Sequence, residues 1–364
     1  MNNKFMQYLA GAALLAVSGV ASAQSTCAST LSTYNSYLSV GDIAGAQHFV
    51  SKHPQCFGGT VSSQAMINAT TVALSGAISG SVSNRMLSAG GPDTLASIGT
   101  SGMAAGAPVD KWNVWGNLSG NNTKVSYSND DGTTTKSNNE ILTTMVGVDY
   151  ALSPTMVLGL SGAFDNGNGS GQTAANAAQG ISSSGYLLAP YLAMQLSKDL
   201  VLDASVGIGN GTMTIAGDTK NDASRLFGAA NLSYSRWFQN IQLTGKLGYL
   251  HAEEDHGDTR TNGVVTPGTK NRNRLDQFRA GVQAGYWMNG VMPYAAFSFA
   301  TDSRSSSNQA LAVNVVGKNA ALWTLGVNVF SLSSKVTGGI AYSHETSRSN
   351  SVNDIIMANI NVRF

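Results

Sequence analysis

Charged side chains are scarce in this chain. Asp, Glu, Lys and Arg make up 11% of its 364 residues, against about 25% in an ordinary soluble domain. Something other than charge must therefore solvate much of the surface. Lipid does this on the outside of a transmembrane barrel, while Asn, Ser, Thr and Gly line a watery interior. The formal charge of +1 lacks the basic excess that a nucleic-acid partner calls for. Long apolar runs are missing as well. After Val20 no segment offers the ~18 uninterrupted apolar residues that a spanning helix needs. Cysteine is confined to Cys27 and Cys56. An even count in an exported chain reads as a disulfide, one that would stabilise its segment by roughly 3–4 kcal/mol on the chain-entropy model. The bland alternative is two unpaired small side chains. A cysteine-free remainder suits a barrel that crosses an oxidising periplasm unfolded.

What is present begins with an export signal. Lys4 gives a positive start, Leu9 to Val20 form a short apolar core, and Ala21-Ser22-Ala23 supplies small residues for cleavage between Ala23 and Gln24. The other end of the chain is equally informative. In Ile356-Met357-Ala358-Asn359-Ile360-Asn361-Val362-Arg363-Phe364, Ile356, Ala358, Ile360, Val362 and Phe364 share one strand face, and Asn359, Asn361 and Arg363 share the other. Free termini fray, so a strand running to a final aromatic implies a partner that holds it. A barrel in lipid must pair its last strand with its first, because unsatisfied backbone groups are too costly in hydrocarbon.

Between these ends the chain divides into residues 24–60, 61–108 and 109–364, after a signal peptide over 1–23. Residues 24–60 read as a short helical hairpin: Leu31, Tyr34 and Leu38 lie at helical spacing, and Gly41-Asp42 stops one helix and caps the next. From Val61 to about Gly90, Met66, Ile67, Val72, Leu74, Ile78, Val82 and Met86 are diluted by Ser, Thr and small residues, with Arg85 the only charge. That composition is too bare of charge for a surface helix and too polar for a membrane helix. It suits a slim helix threaded through a polar lumen. The alternative is a helix packed beneath the barrel. Gly90 to Pro108 reads as a linker.

From about Lys111 the period becomes two. Ile241, Leu243, Gly245, Leu247 and Tyr249 alternate with Gln242, Thr244, Lys246 and Gly248. Phe278, Ala280, Val282, Ala284 and Tyr286 alternate with Gln277, Arg279, Gly281, Gln283 and Gly285. Tight turns are expected at Ser153-Pro154-Thr155, Ser197-Lys198-Asp199, Gln239-Asn240, Asn289-Gly290 and Ser333-Ser334-Lys335. Long polar loops are expected near 129–139, 165–182, 212–222, 253–273, 302–318 and 344–353. Short and long connections alternate, as in outer-membrane barrels. The expected fold is an all-β transmembrane barrel of about twelve antiparallel strands, with an N-terminal helical segment and a lumen-threading α-helix. Trp112, Tyr150, Tyr234, Trp237, Tyr249, Tyr286 and Trp287 fall near strand ends, where interfacial girdles sit.

Together these features resemble an autotransporter, the type V secretion proteins of Gram-negative bacteria, over Val61 to Phe364. The resemblance implies a location in the outer membrane, and a barrel that translocates or anchors an N-terminal segment. It implies as partners outer-membrane lipid, periplasmic chaperones and a barrel assembly machinery that reads the terminal strand through Ile356, Ile360, Val362 and Phe364. No cofactor is implied. The departure lies at the front, where about Gln24 to Thr60 stands in place of a passenger that usually runs to hundreds of residues. Some members cut themselves at paired asparagines in the pore helix; here Asn68 and Asn84 are isolated, and no self-cleavage is expected.

Asp149, Asp203, Lys246, Arg279 and Arg363 are expected to point into the lumen, where charges set selectivity, hold a plug helix, or simply pair and hydrate one another. The run His251-Ala252-Glu253-Glu254-Asp255-His256-Gly257-Asp258 has residue types for metal binding or for a rim-located hydrolase built on His251 and Asp255. It begins where a strand gives way to an acidic, solvated loop, and no catalytic or metal role is assigned to it. His48, His53 and His344 lack ligand spacing. An alternative function is a plugged structural or adhesive protein that binds an unidentified surface ligand through its loops.

Overall fold

The computed structural model describes residues 62–86, 111–128, 134–173, 176–215, 219–266, 270–306, 316–330 and 335–364, with isolated positions between 33 and 45. Ala23, Gln24, Cys27 and Cys56, and the turn at Ser333-Ser334, lie outside the described residues. Asp42 and Gly45 lie within them, and the Gly45 amide donates to Asp42 Oδ1 at 2.8 Å, an N-cap bond.

The period-2 sequence becomes twelve long strands: β1 (Trp112–Ser128), β2 (Thr134–Ser153), β3 (Met156–Thr173), β4 (Asn176–Ser197), β5 (Leu200–Ile215), β6 (Thr219–Phe238) and β7 (Ile241–His256), then β10 (Asn271–Tyr286), β11 (Val291–Ser306), β12 (Asn319–Phe330), β13 (Val336–Thr346) and β14 (Ser351–Arg363). A small hairpin, β8 (Thr259–Thr261) and β9 (Val264–Thr266), rises between β7 and β10. Each long strand pairs antiparallel with the next, and β1 pairs with β14 from Asn113↔Arg363 to Val125↔Ser351. The closure reaches the last residue: Phe364 and Trp112 exchange backbone bonds of 3.0 Å in both directions. The twelve long strands leave no edge of the barrel open, which hydrocarbon demands.

Lipid-facing positions are apolar and exposed, among them Val146, Leu160, Ile208, Leu243, Val282, Leu325, Ile340 and Ile356. No described helix is long and apolar enough to cross a membrane. Short turns close one end. At Asn289-Gly290 both residues have positive φ, 51° and 96°, the conformation that lets a two-residue hairpin follow the twist of its strands.

Two sequence expectations change. The long loops are shorter than composition suggested, because β1 to β7 continue through the polar stretches. Only 129–133, 174–175 and 216–218 separate the strands there, and β7 runs on through Glu253 to His256. Beyond the lipid band the outer face needs no apolar side chains, so pairing continues where alternation has faded. Trp237 and Trp287 are not girdle residues. They fall on the inward parity, with ring centroids 6.3 Å apart, and Trp287 lies 5.2 Å from the buried Phe330 at the short-turn end. Trp112 and Tyr150 do meet edge to face on the outer surface, at 4.9 Å.

Candidate functional site

The site is the barrel lumen and the helix inside it. Helix α1 (Ser62–Met86) has 25 residues, a length of about 37 Å at 1.5 Å per residue. Its small side chains let it lie against the wall formed by β1 to β7. Leu74, Ile78 and Val82 are buried there in a cluster with Trp115, Met145, Leu187, Tyr191 and Phe227. The lumen therefore carries an apolar seam along one wall, which a reading of polar inward faces misses. The aromatic rings of that seam lie over glycines on neighbouring strands. A Cβ on Gly147 would stand 2.3 Å from the Trp115 ring, one on Gly159 2.2 Å from Tyr191, and one on Gly207 2.0 Å from Phe227. These glycines are not spare room in the lumen; rings occupy the space that they leave.

Polar contacts fix the helix in register. Ser81 Oγ donates to Asn361 Oδ1 at 2.8 Å, and Asn231 Nδ2 donates to Ser75 Oγ at 3.4 Å. Asp203, buried, bonds to Ser79 and accepts from Asn231 Nδ2 at 2.8 Å. The strongest anchor is Arg85, which pairs with Asp149 and donates to the Lys111 carbonyl at 3.1 Å. Asp149 also accepts from Tyr191 Oη at 2.8 Å and Asn113 Nδ2 at 2.9 Å, and Trp115 Nε1 donates to Tyr191 Oη at 2.8 Å. Asp149, Asn113 and Lys111 lie near the short-turn end, so the C-terminal end of α1 sits there and Ser62 points to the long-loop end.

The opposite side of α1 stands free of the wall. Gly76, Gly80 and Asn84, spaced by four, face a cavity of about 410 Å³ that reaches across to β10–β14. Lys246 and Arg279 line it from β7 and β10, and Arg279 donates to Gln277 Oε1 at 3.3 Å. Arg304, Asp302 and Glu345 line its outer part together with Arg348, which folds inward from the connection after β13. Arg348 bonds to Asp302 at 2.8 Å, to Glu345 at 2.6 Å and to the Gly317 carbonyl at 3.0 Å. Arg363 shares the inward parity but sits only part-buried at the short-turn end. A second buried network crosses the long-loop half on the other wall. Arg225 bridges Asp165 at 2.5 Å and Glu254 at 3.0 Å, and Glu254 meets His256 Nε2 at 3.0 Å.

The histidine-rich run is split by the strand it belongs to. Glu254 and His256 point inward, whereas His251, Glu253 and Asp255 point outward. His251 Nδ1 lies 2.8 Å from Asp276 Oδ1, which also accepts from Tyr249 Oη at 2.6 Å. Asp255 pairs instead with Arg272. At ~3.3 Å per residue, His251 and Asp255 are about 13 Å apart along the strand, beyond the reach of a proton-relay dyad. The outward trio recurs elsewhere on the barrel. Asp354 accepts from Tyr342 Oη at 2.5 Å and lies 2.8 Å from His344 Nδ1. Both trios lie on the outward parity of their strands toward the long-loop end, where interfacial girdle groups are expected. Among the described residues no group of His, Cys, Asp and Glu could hold a metal ion.

Comparison with known proteins places this architecture. A family profile described as the autotransporter beta-domain matches residues 114–343. No curated protein matches the chain. Among solved structures, the fold is similar to the translocator domain of autotransporter NalP from Neisseria meningitidis, at 12% identity and a TM-score of 0.57, covering 78% of this chain and 99% of that one. It is also similar to the beta domain of the Bordetella autotransporter BrkA, at 12% identity and TM-score 0.52, covering 70% and 100%. The transport unit of AIDA-I from Escherichia coli follows at 14% identity and TM-score 0.50, covering 74% and 97%. With more than half of its residues matched by the profile, a closed twelve-strand barrel and a helix in the lumen, the chain belongs to the autotransporter β-domain family and resides in the Gram-negative outer membrane.

Proposed function

We propose that the barrel translocates a short N-terminal segment, about residues 24–60, and anchors it at the cell surface. The observation that supports this reading is the polarity of α1. Its C-terminal end is tied to Asp149 and the Lys111 carbonyl beside the short turns, which face the periplasm in this family. Its N-terminal end therefore leads out of the long-loop mouth, in the direction a surface segment requires. On this reading lipid covers the apolar band and periplasmic chaperones carry the unfolded chain. The assembly machinery reads the outward row Ile356, Ile360, Val362 and Phe364. We assign no catalysis, because His251 and Asp255 engage separate partners on the outer face.

An epitope inserted after Gln24 tests the proposal. Labelling by antibody on intact cells is expected. Protection until the outer membrane is permeabilised would refute export and favour the plugged structural or adhesive alternative. The buried anchors along the length of α1 also suit that alternative. Hydrolysis lost on His251→Ala would instead restore the hydrolase reading.

A further inference from the structure

The off-centre seat of α1 leaves a space whose charged lining is net positive. Six charged side chains line the cavity: Lys246, Arg279, Arg304 and Arg348 against Asp302 and Glu345. Asp203 stands behind Lys246 as its counter-charge. The other three cations, all arginines, share two carboxylates. Arg348 takes both, and Arg304 shares Asp302 at 2.5 Å. Arg279 has no carboxylate within ion-pair distance: its hydrogen bond goes to the neutral Gln277, Asp302 and Glu345 act on it only from farther off, and its buried Nε has no hydrogen-bond partner. The Arg304 Nε is likewise buried without a partner.

The helix side of the same cavity is kept clear. Gly76 and Gly80 face it, and a Cβ at either would meet nothing within 4 Å. Close packing therefore does not require glycine at these positions, and glycine weakens a helix relative to alanine. Two such residues at spacing four keep an unobstructed groove along the helix, opposite the arginines. A water-filled cleft with low-dielectric walls focuses the field of the charges that line it, and rings of Arg and Lys select for anions.

We propose that this half of the lumen is a passage selective for small inorganic anions, running beside the helix, with Arg279 as its principal selecting group. It does not rest on export of the N-terminal segment. A periplasmically protected epitope would leave it standing, and loss of anion selectivity would leave export standing.

The test is planar-bilayer recording of the purified full-length chain across a KCl gradient at low ionic strength, where surface charge is least screened. Chloride selectivity is expected for the wild type. Arg279→Glu is expected to move the reversal potential toward that of potassium, and Lys246→Gln to move it less in the same direction. Gly76→Phe should lower conductance several-fold without changing the sign of the reversal potential, because the ring enters the groove rather than the wall. Heat-modifiability of each variant on unboiled gels establishes that it has folded. Should Arg279→Glu fail to fold, Lys246→Gln and Gly76→Phe carry the test. Cation selectivity or no current in the folded wild type overturns the proposal. So does an unshifted reversal potential in folded Arg279→Glu, or an unchanged conductance in folded Gly76→Phe.

Discussion

Removing Asp149 should release the lower end of the helix more than removing Arg85. The two side chains are 2% and 8% exposed, so solvent screens their interaction little. Breaking a buried pair by deleting one partner costs about 3–5 kcal/mol, chiefly because the survivor is left uncompensated. In Arg85→Ala the surviving carboxylate keeps two donors, Tyr191 Oη and Asn113 Nδ2. The cost should therefore fall at the low end of that range. In Asp149→Ala three donors, on Arg85, Tyr191 and Asn113, lose their acceptor at once, and the Lys111 carbonyl that Arg85 keeps is neutral. The cost should then reach the high end. At about 1.4 kcal/mol per tenfold, helix opening should rise roughly a hundredfold in the first variant and by more than a thousandfold in the second. Hydrogen exchange of the amides between residues 70 and 86, read by mass spectrometry in detergent, measures this opening directly. Combining Arg85→Ala with Asp149→Ala should cost less than the sum of the single changes, since neither charge is then orphaned. The reasoning fails if both single variants exchange like wild type, or if the double variant shows strict additivity.

Gly207→Ala should destabilise the barrel by about 1–3 kcal/mol through overpacking, since its Cβ would press into the Phe227 ring; Gly228→Ala, which meets nothing within 4 Å, is the matched control. The temperature at which the heat-modifiable band converts should fall only for the first. Arg348→Gln should loosen residues 316–318 and 347–350, because Asp302, Glu345 and the Gly317 carbonyl all lose a charged donor, each bond being worth about 1.5–3 kcal/mol; limited proteolysis of intact cells should show faster cutting there. Phe364→Asp should lower outer-membrane levels and leave protein in the periplasm, whereas Asn359→Ser on the inward face should be nearly silent. Membrane fractionation at matched expression checks both, and equal insertion of Phe364→Asp and wild type would remove the role given to the terminal row.

The outer face and the closure of the barrel were legible in the sequence because they rest on a local rule. Alternation of apolar and polar residues in Ile241–Tyr249 or Ile356–Phe364 is set by the pleat of each strand alone, and a last strand ending on Phe364 needs a first strand to hold it. The even number of strands followed from counting connections. The length of the upper hairpins did not, because beyond the lipid band the outer face no longer needs apolar residues, which erases the alternation while leaving the backbone bonds in place. Parity also separated Glu254 and His256 from His251 and Asp255, which the run of acidic and histidine residues had grouped as one cluster.

The lumen itself was decided by tertiary structure. Glycine at 147, 159 or 207 looks like empty space in a single strand. Only the cross-strand register brings Trp115, Tyr191 and Phe227 over those positions and makes a seam for Leu74, Ile78 and Val82. The composition of α1 marked it as slim enough to thread a barrel, but nothing local states which wall it prefers. That choice follows from the aromatic patch on β1–β7, and the charged cavity on the far side is its consequence. Asp149 and Arg279 share an inward parity, yet one anchors the helix while the other faces open space, because they stand on opposite sides of it. A strand's own sequence sets which way a side chain points, whereas what it meets there depends on residues up to 280 positions away, as in the bond from Ser81 to Asn361.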